Sequence, residues 1–205
     1  MATVESFQNL RNDLIMKFPL GAMIFADYTA ATIADIFDTD NASLLALPAG
    51  YKSAGYLTTD GVTEGRAITT DEEMGWQSAE VLRSDVSKDV FTLKCVLKEM
   101  NPVTIALSEN QNLADVPALG NPITIDHPES GNQPLRRLLL LGHDTQTDTI
   151  YGRYLPRVKI TDMDDRKLMR TDATTFGFTI TAYKDPVYGT SSRLFIGGAG
   201  WLAQS

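Results

Sequence analysis

The sequence predicts a mainly β protein: an antiparallel β-sandwich or barrel with one flanking α-helix and extended arms and loops. After Gly61, apolar and polar residues alternate with a period of two along most of the chain, which is typical of half-buried strands. Polar turns separate the strand candidates, about nine in number. The repeated helices that a doubly wound α/β fold places between its strands are missing.

Composition indicates a folded domain with a limited range of chemistry. The 205 residues are 43% hydrophobic and 21% charged, and a chain of this length can bury its own core. A net charge of −8 argues against broad non-specific nucleic-acid binding, which needs a cationic surface. One cysteine excludes a disulfide framework and a thiolate-rich zinc site. Without a spanning apolar run or a secretory signal, we expect a soluble chain with no membrane partner.

Residues 1–18 predict an N-terminal helix or arm. Thr3 is a possible N-cap, and Pro19 and Gly21 end the pattern. The segment either packs on its own core or forms an arm on a neighbouring subunit. Apolar residues recur at helical spacing, which places them on one face: they are Val4, Phe7, Leu10, Leu14 and Phe18.

The remaining elements are predicted in order along the chain. A short strand is followed by a long loop, 29–50, of a length usual only where a loop is functional or ordered by other contacts. Asn101 is predicted to cap a helix from Pro102 to about Asn110, and a polar loop follows to Pro134. The predicted strands are 22–28, 63–69, 75–83, 90–98, 135–142, 149–155, 157–162, 176–182 and 193–197, with turns at 85–89 and 143–148.

Two histidines offer the best catalytic candidates, and both are weak. His127 lies beside Asp126 and His143 beside Asp144, and a His–Asp pair can act as a base with its orienting carboxylate. No serine has the context of a nucleophile, however. Cys95 lies in a strand candidate and is predicted to be an inert core thiol.

Candidate ion and phosphate sites are equally incomplete. Asp162, Asp164 and Asp165 lack the rest of a calcium-loop pattern, as do Asp38 and Asp40. Gly197, Gly198 and Gly200 precede too few residues for the helix that a phosphate-binding loop must open. We therefore predict no catalytic residue, no cofactor and no metal ligand.

One set of segments is more specific than composition. Residues 50–64 are GYKSAGYLTTDGVTE, followed by Gly75-Trp76-Gln77, then VLRSD at 81–85, then FTLKCVLKE at 91–99 with Asn101 after it. These segments resemble the major tail proteins, or tail tube proteins, of long-tailed bacteriophages. The resemblance covers roughly residues 22–110, and the rest of the chain shares only a strand-rich pattern.

The residues that carry the resemblance have structural explanations of their own. Asp60 and Gly61 predict a turn, and Gly50 and Gly55 predict a bulge or a close backbone approach. Trp76 is predicted to bury its ring against the sheet. Glu99 is expected to accept hydrogen bonds near the helix start. With Trp201, which needs an apolar partner, the assembly or structural residues are Gly50, Gly55, Asp60, Gly61, Trp76, Glu99, Asn101 and Trp201.

The resemblance implies a structural virion protein without catalysis, made in the host cytoplasm. Copies would form hexameric rings that stack into a tube, through which DNA passes into the host without specific binding. Tape measure, tip and terminator proteins would be the other tail partners. The implied domain is 19–193, with 52–76 as an inter-ring loop or hairpin, flanked by arms at 1–18 and 194–205. An acidic lumen is expected, since negative walls repel phosphates.

Three alternatives stay open. The first is the inner-tube protein of a contractile tail or injection apparatus, which would share the fold. The second is a non-viral β-sandwich binding or adhesin module, with exposed aromatic residues on one face. The third is a hydrolase that uses a His–Asp site.

Overall fold

The structure, a computed structural model, describes residues 11–40, 42–77, 80–126 and 133–203. These residues form one antiparallel sheet of eight strands in the order β2-β1-β5-β6-β7-β4-β3, with β8 on β6, and the sheet does not close into a barrel. The mainly β, antiparallel prediction is confirmed, with eight strands instead of about nine. The strands are β1 (Leu20–Asp27), β2 (Lys52–Ser53), β3 (Leu57–Met74), β4 (Val81–Leu97), β5 (Arg136–Asp144), β6 (Thr149–Met163), β7 (Phe176–Ala182) and β8 (Arg193–Gly197).

Strand β6 is the centre of the sheet. One edge pairs with β5. The other edge is shared, because β8 pairs with residues 150–154 and β7 with residues 158–163. The predicted strands 149–155 and 157–162 are therefore one continuous strand that passes through Pro156.

The sheet curls around a large apolar core. Buried residues of β1, β4, β5, β6 and β7 meet in one cluster with the helix α1 (Pro102–Ser108). The curvature brings β3 close to β6 although two strands lie between them in the sheet, and Glu64 of β3 accepts a hydrogen bond from Tyr151 of β6. Cys95 lies inside this cluster, and burial raises the pKa of its thiol to about 12. The predicted core position of Cys95 is confirmed, and its low reactivity stays a prediction.

A second, smaller core covers the opposite face of β1, β5 and β6. Leu138 packs in the large core, whereas its neighbour Leu139 packs against residues of the long loop after β1, such as Ile36. Both faces of β5 are buried, which explains its uninterrupted apolar run. The loop 29–50 is thus ordered by covering a sheet face.

Helix α1 begins as predicted. Asn101 accepts a hydrogen bond from the backbone N–H of Thr104 at 2.9 Å, with Pro102 in the first helical turn. The helix ends at Ser108, earlier than the predicted Asn110. No helix among the described residues has the length and apolarity needed to cross a membrane.

The N-terminal helix prediction is wrong for its described part. Val4, Phe7 and Leu10 lie outside the described residues, but Asn12–Leu14 form only a 3-10 turn and residues 15–18 have no regular structure. Pro19 disfavours helical backbone at the residue before it. The chain instead runs beside the sheet, where Phe18 packs on Tyr151 with ring centroids 5.6 Å apart.

The end of the chain is also more ordered than predicted. We expected no helix after the glycines, but Ala199–Leu202 form a single helical turn, α2. The backbone N–H of Gly200 donates to Asp148 O at 3.0 Å, and a side chain at Gly200 would collide with Thr147. Residues 194–197 of the predicted C-terminal arm lie in β8 and the sheet.

Two strand boundaries were predicted wrongly in the middle of the chain. The predicted strand 75–83 contains the connection between β3 and β4, and the predicted turn 85–89 lies inside β4. The segment is rich in polar residues because both faces of this strand are exposed to solvent, and that polarity resembles a turn.

Candidate assembly surface

Strands β3 and β4 form a hairpin that extends far beyond the sheet. β4 pairs with β7 only over Thr92–Leu97, whereas its pairing with β3 continues to Val81. Residues 66–74 and 81–89 are all exposed. At about 3.3 Å per residue, the hairpin projects roughly 30 Å. We call residues 66–90 the projecting hairpin.

The projecting hairpin carries apolar residues on the face that continues the core. Residues opposite each other on paired strands share a face, and the register places Glu64 opposite Leu93 and Thr70 opposite Val86. Following this face outward from Leu93 leads to exposed apolar side chains, which we call the apolar stripe: Ile68, Met74, Val81 and Val86.

The tip of the hairpin adds two larger apolar groups. The side chain of Trp76 is 98% exposed and that of Leu82 is 69% exposed. The predicted burial of Trp76 against its own sheet is wrong, because the residue lies in the connection between the strands, beyond any surface that its ring can reach. Exposure of a tryptophan ring to water in this position is energetically unfavourable.

The opposite face of the hairpin is charged. Asp71 lies directly opposite Asp85 in the register, and like charges in such pairs are destabilising. Arg83 compensates in part through a salt bridge to Asp85 at 2.6 Å. On the face of the apolar stripe, nearer the sheet, Arg66 binds both carboxylate oxygens of Asp89, at 2.9 and 2.6 Å.

A polar cluster braces the root of the hairpin against β6. The Tyr151 hydroxyl donates to the Glu64 carboxylate at 2.7 Å, and Arg153 donates to the same carboxylate at 3.2 Å. Burial, followed by the hydrogen bond to Glu64, raises the pKa of Tyr151 to about 12. The neutral phenol therefore persists at physiological pH and keeps donating to Glu64.

A second polar cluster joins the chain before β3 to the start of α1. The backbone N–H of Tyr56 donates to Glu99 at 3.0 Å, and the Asn101 amide donates to Ala54 O at 2.9 Å. Gly55 has φ +83°, and a side chain there would collide with Glu99. The predicted close approach at Gly55 is present, and Glu99 accepts both from the backbone N–H of Tyr56 and, at 3.3 Å, from the side-chain amide of Asn101, the N-cap of α1.

Asp60 and Gly61 form a bulge and not a hairpin turn. Gly61 has φ +69°, and Gly50 has φ +93°. The register shifts between Leu57 and Val62, so extra residues of β3 stand opposite β4 without interrupting the strand. The positive φ was predictable from the glycine, whereas its position within a long strand was not.

An apolar groove lies between the first residues of β3 and the ends of β1 and β5. Its volume is about 740 Å³. Leu20 and Tyr56 are exposed along it, and Phe18 forms part of its wall. We call it the apolar groove; its main lining residues are Phe18, Leu20, Tyr56, Leu57, Leu141 and Tyr151.

The sheet body contains a buried polar network that the sequence did not indicate. Arg137 donates to Ala30 O and Pro156 O, each at 3.1 Å, and lies 3.9 Å from Asp185. Burial alone would oppose ionisation of Asp185. The backbone N–H groups of Tyr188 and Val187, with help from Tyr28 and Arg137, outweigh burial and hold its pKa below the ordinary value.

The catalytic candidates do not form a site in the described residues. The Nε2 atom of His143 lies 3.0 Å from an Asp148 carboxylate oxygen. The predicted partner, Asp144, instead accepts a hydrogen bond from the backbone N–H of Lys17. His127 lies outside the described residues. In the described part of the chain, no three His, Cys, Asp or Glu side chains are placed to hold a metal ion.

The fold and surface define a mainly β protein with a long exposed hairpin and an apolar surface that the described residues leave uncovered. The family model described as phage tail tube protein matches residues 18–192, and the chain belongs to that family. The resemblance found in the sequence is thereby confirmed, and the protein is a structural component of a phage tail.

Two solved structures are similar to this chain. One is the cryo-EM structure of the anti-feeding prophage tube-terminating cap, at 7% identity and a TM-score of 0.46, covering 96% of this chain and 100% of that one. The other is the six-fold symmetrised anti-feeding prophage baseplate, at 12% identity and a TM-score of 0.39, covering 89% and 98%. A comparison with curated proteins gave no match.

Proposed function

We propose that this protein polymerises as stacked hexameric rings to form the tail tube, a channel through which DNA enters the host. The projecting hairpin is the observation that carries the proposal. It extends roughly 30 Å from the sheet with an apolar stripe that nothing in the described chain covers. A hairpin of this kind needs a partner surface, and membership of the tail tube family makes other copies the natural partner.

The free edges of the sheet suggest how a ring would close. β3 and β2 are the outermost strands, and β2 covers only part of β1. Exposed strand edges invite pairing with other chains. In the proposed ring, the edge of β3 in one subunit approaches the β2–β1 end of the next, which covers both ends of the strand order and leaves only the short outer edge of β8.

The proposed role is structural, with no catalytic step, cofactor or metal. The other partners are the tape measure, tip and terminator proteins of the tail, and assembly follows synthesis in the host cytoplasm. The local geometry of Gly55, Asp60 and Gly61, together with Glu99 and Asn101, shapes the chain before and at the start of β3, whereas Gly50 lies close to Ala30 in the loop after β1. Trp76 and Trp201 are proposed to contact other subunits.

An acidic lumen remains a prediction. DNA would pass without specific binding if carboxylates outnumbered basic groups on the channel wall. Several acidic side chains lie on the projecting hairpin, including Asp71 and Asp85. The face of β4 and β7 that points away from the core bears Lys94 among threonines, so a channel lined by that face would lack the predicted excess.

Negative-stain electron microscopy of the concentrated full chain tests the proposal. We expect rings or hollow rods. A control variant, His143→Ala, should assemble equally well, since no catalytic role is assigned to the histidine. A chain that stays a single particle at high concentration, with or without other tail proteins, would contradict the proposed function.

The terminal arms are tested by truncation. Removing residues 1–18, or residues 198–205 so that β8 stays intact, should reduce polymerisation more than folding. Circular dichroism reports the fold and sedimentation velocity reports the assembly. An equal loss of both would show that these segments stabilise the subunit and do not join subunits.

A further inference from the structure

We propose that the tip of the projecting hairpin inserts into the apolar groove of a second copy, with Trp76 as the anchoring side chain. This inference rests on the proposed function, because it names the surface that receives the hairpin. The groove is the receptor and the second copy is the occupant.

The two surfaces have matching chemistry. The tip presents the most exposed large apolar side chain of the described residues, Trp76, beside Leu82. The groove presents apolar walls in which Leu20 and Tyr56 are left exposed. Neither surface is covered by another part of the described chain, so each is unfavourable in water as it stands.

The sizes are compatible. An aromatic side chain buries about 150 to 250 Å², and a groove of about 740 Å³ has room for the indole ring with an aliphatic neighbour. Burial of Trp76 and Leu82 with part of the apolar stripe supplies a large share of the roughly 800 Å² per partner found in stable interfaces.

The geometry of such a contact leads to extended assemblies. The tip and the groove are different surfaces of one chain, so the contact between copies is heterologous. Heterologous contacts form closed rings or open filaments, and an open filament has a free tip at one end and a free groove at the other. A stacked tube requires this kind of contact.

Thiol crosslinking tests the contact directly. The variant Gln77→Cys places a thiol at the tip and keeps the anchor Trp76, and Leu20→Cys places a thiol in the groove, while the native Cys95 is buried. The two single variants are mixed as subunits and then assembled together, and a short bis-maleimide added to this assembly should give crosslinked dimers. The double variant should give a ladder of higher multiples on a denaturing gel.

A matched control separates the groove from general proximity. Leu168→Cys carries an exposed thiol in the loop between β6 and β7, at the end of the β4–β7 pairing opposite to the hairpin. Mixed with Gln77→Cys, it should give no crosslink above the level of either variant alone. Efficient crosslinking to position 168 and not to position 20 would overturn the assignment of the groove.

Fluorescence supplies a second measurement that needs no crosslink. In a Trp201→Phe background, Trp76 is the remaining tryptophan, and its emission should shift to shorter wavelength as subunits assemble. Trp76→Ala should weaken association by roughly 30-fold, as for a typical interface hot spot. Unchanged emission and unchanged association in tubes that form normally would overturn the inference.

The outcomes distinguish this inference from the proposed function. If rings or rods form but the tip crosslinks elsewhere, the tube function stands and the groove assignment fails. Deletion of residues 1–10 should leave crosslinking at position 20 unchanged, and an increase would overturn the assignment of the groove to a second copy. If no assembly forms at all, the proposed function fails first.

Discussion

The two halves of strand β4 both pair with β3 and have opposite surroundings. In residues 91–97 the core face is packed in the sheet body, as at Leu93. In residues 81–90 that face continues as the apolar stripe, and Val86 is exposed. Pairing with β3 therefore continues along the whole of β4, whereas only the half that also pairs with β7 lies over the core and has its apolar face covered. Matched variants in the body and the hairpin test this difference.

The largest expected effect is at the buried arginine of the body. Arg137→Met leaves Asp185 buried without its cation, and breaking a buried pair costs about 3 to 5 kcal/mol. The matched hairpin variant, Arg83→Met, removes an exposed salt bridge and should change the free energy of unfolding by at most about 1 kcal/mol. Urea unfolding measures both. Similar losses in the two variants would show that the body and hairpin are not energetically distinct.

A leucine pair in β4 is expected to give the next largest difference. Leu93→Ala empties a buried site and should lower the free energy of unfolding by about 2 to 5 kcal/mol. Leu82→Ala removes an exposed side chain and should change it by at most about 0.5 kcal/mol. For the affinity between subunits we expect the opposite order, with the larger loss in Leu82→Ala, since Leu82 lies at the tip. A stability loss at Leu82 would mean that the hairpin packs within its own chain.

The smallest expected effect on stability at neutral pH concerns cysteine side chains in β4, at positions 95 and 86. Cys95 should resist thiol reagents at pH 8 in the folded chain, whereas Val86→Cys should react at once in the unassembled subunit. Burial raises the pKa of Cys95 to about 12, so its contribution to stability is complete below the unfolded pKa and is lost as pH rises toward 12. Cys95→Ala should lack this alkaline loss. Rapid labelling of native Cys95 would contradict a tightly packed body.

Much of the fold could be predicted because local patterns agreed with tertiary packing. The predicted strands 176–182 and 193–197 match β7 and β8, and Asn101 caps α1 as expected. The boundaries of the projecting hairpin were predicted wrongly, with a strand at 75–83 and a turn at 85–89. Polar residues occur both in turns and in strands that are exposed on both faces, so the pattern did not distinguish them. Tryptophan is usually largely buried, so the residue type of Trp76 favoured the core. Only its position in the connection between β3 and β4 shows that it is exposed.

The assembly surface was less predictable than the fold. The sequence singled out residues 52–76 but could not show that the hairpin continues the core face outward. Glu64, Arg153 and the Arg137–Asp185 network were missed because their partners are distant in the chain. A charged residue within an apolar strand, as at Arg137 before four leucines, was the available signal for a buried ion pair.

The pairing of β4 with β7 has a mechanical consequence. The hairpin projects along the same direction as the six paired residues, 92–97, that hold β4 in the sheet. A pull on the tip therefore loads those hydrogen bonds in shear, all together, and does not peel them away one by one. The joint resists tension along the hairpin far better than sideways bending.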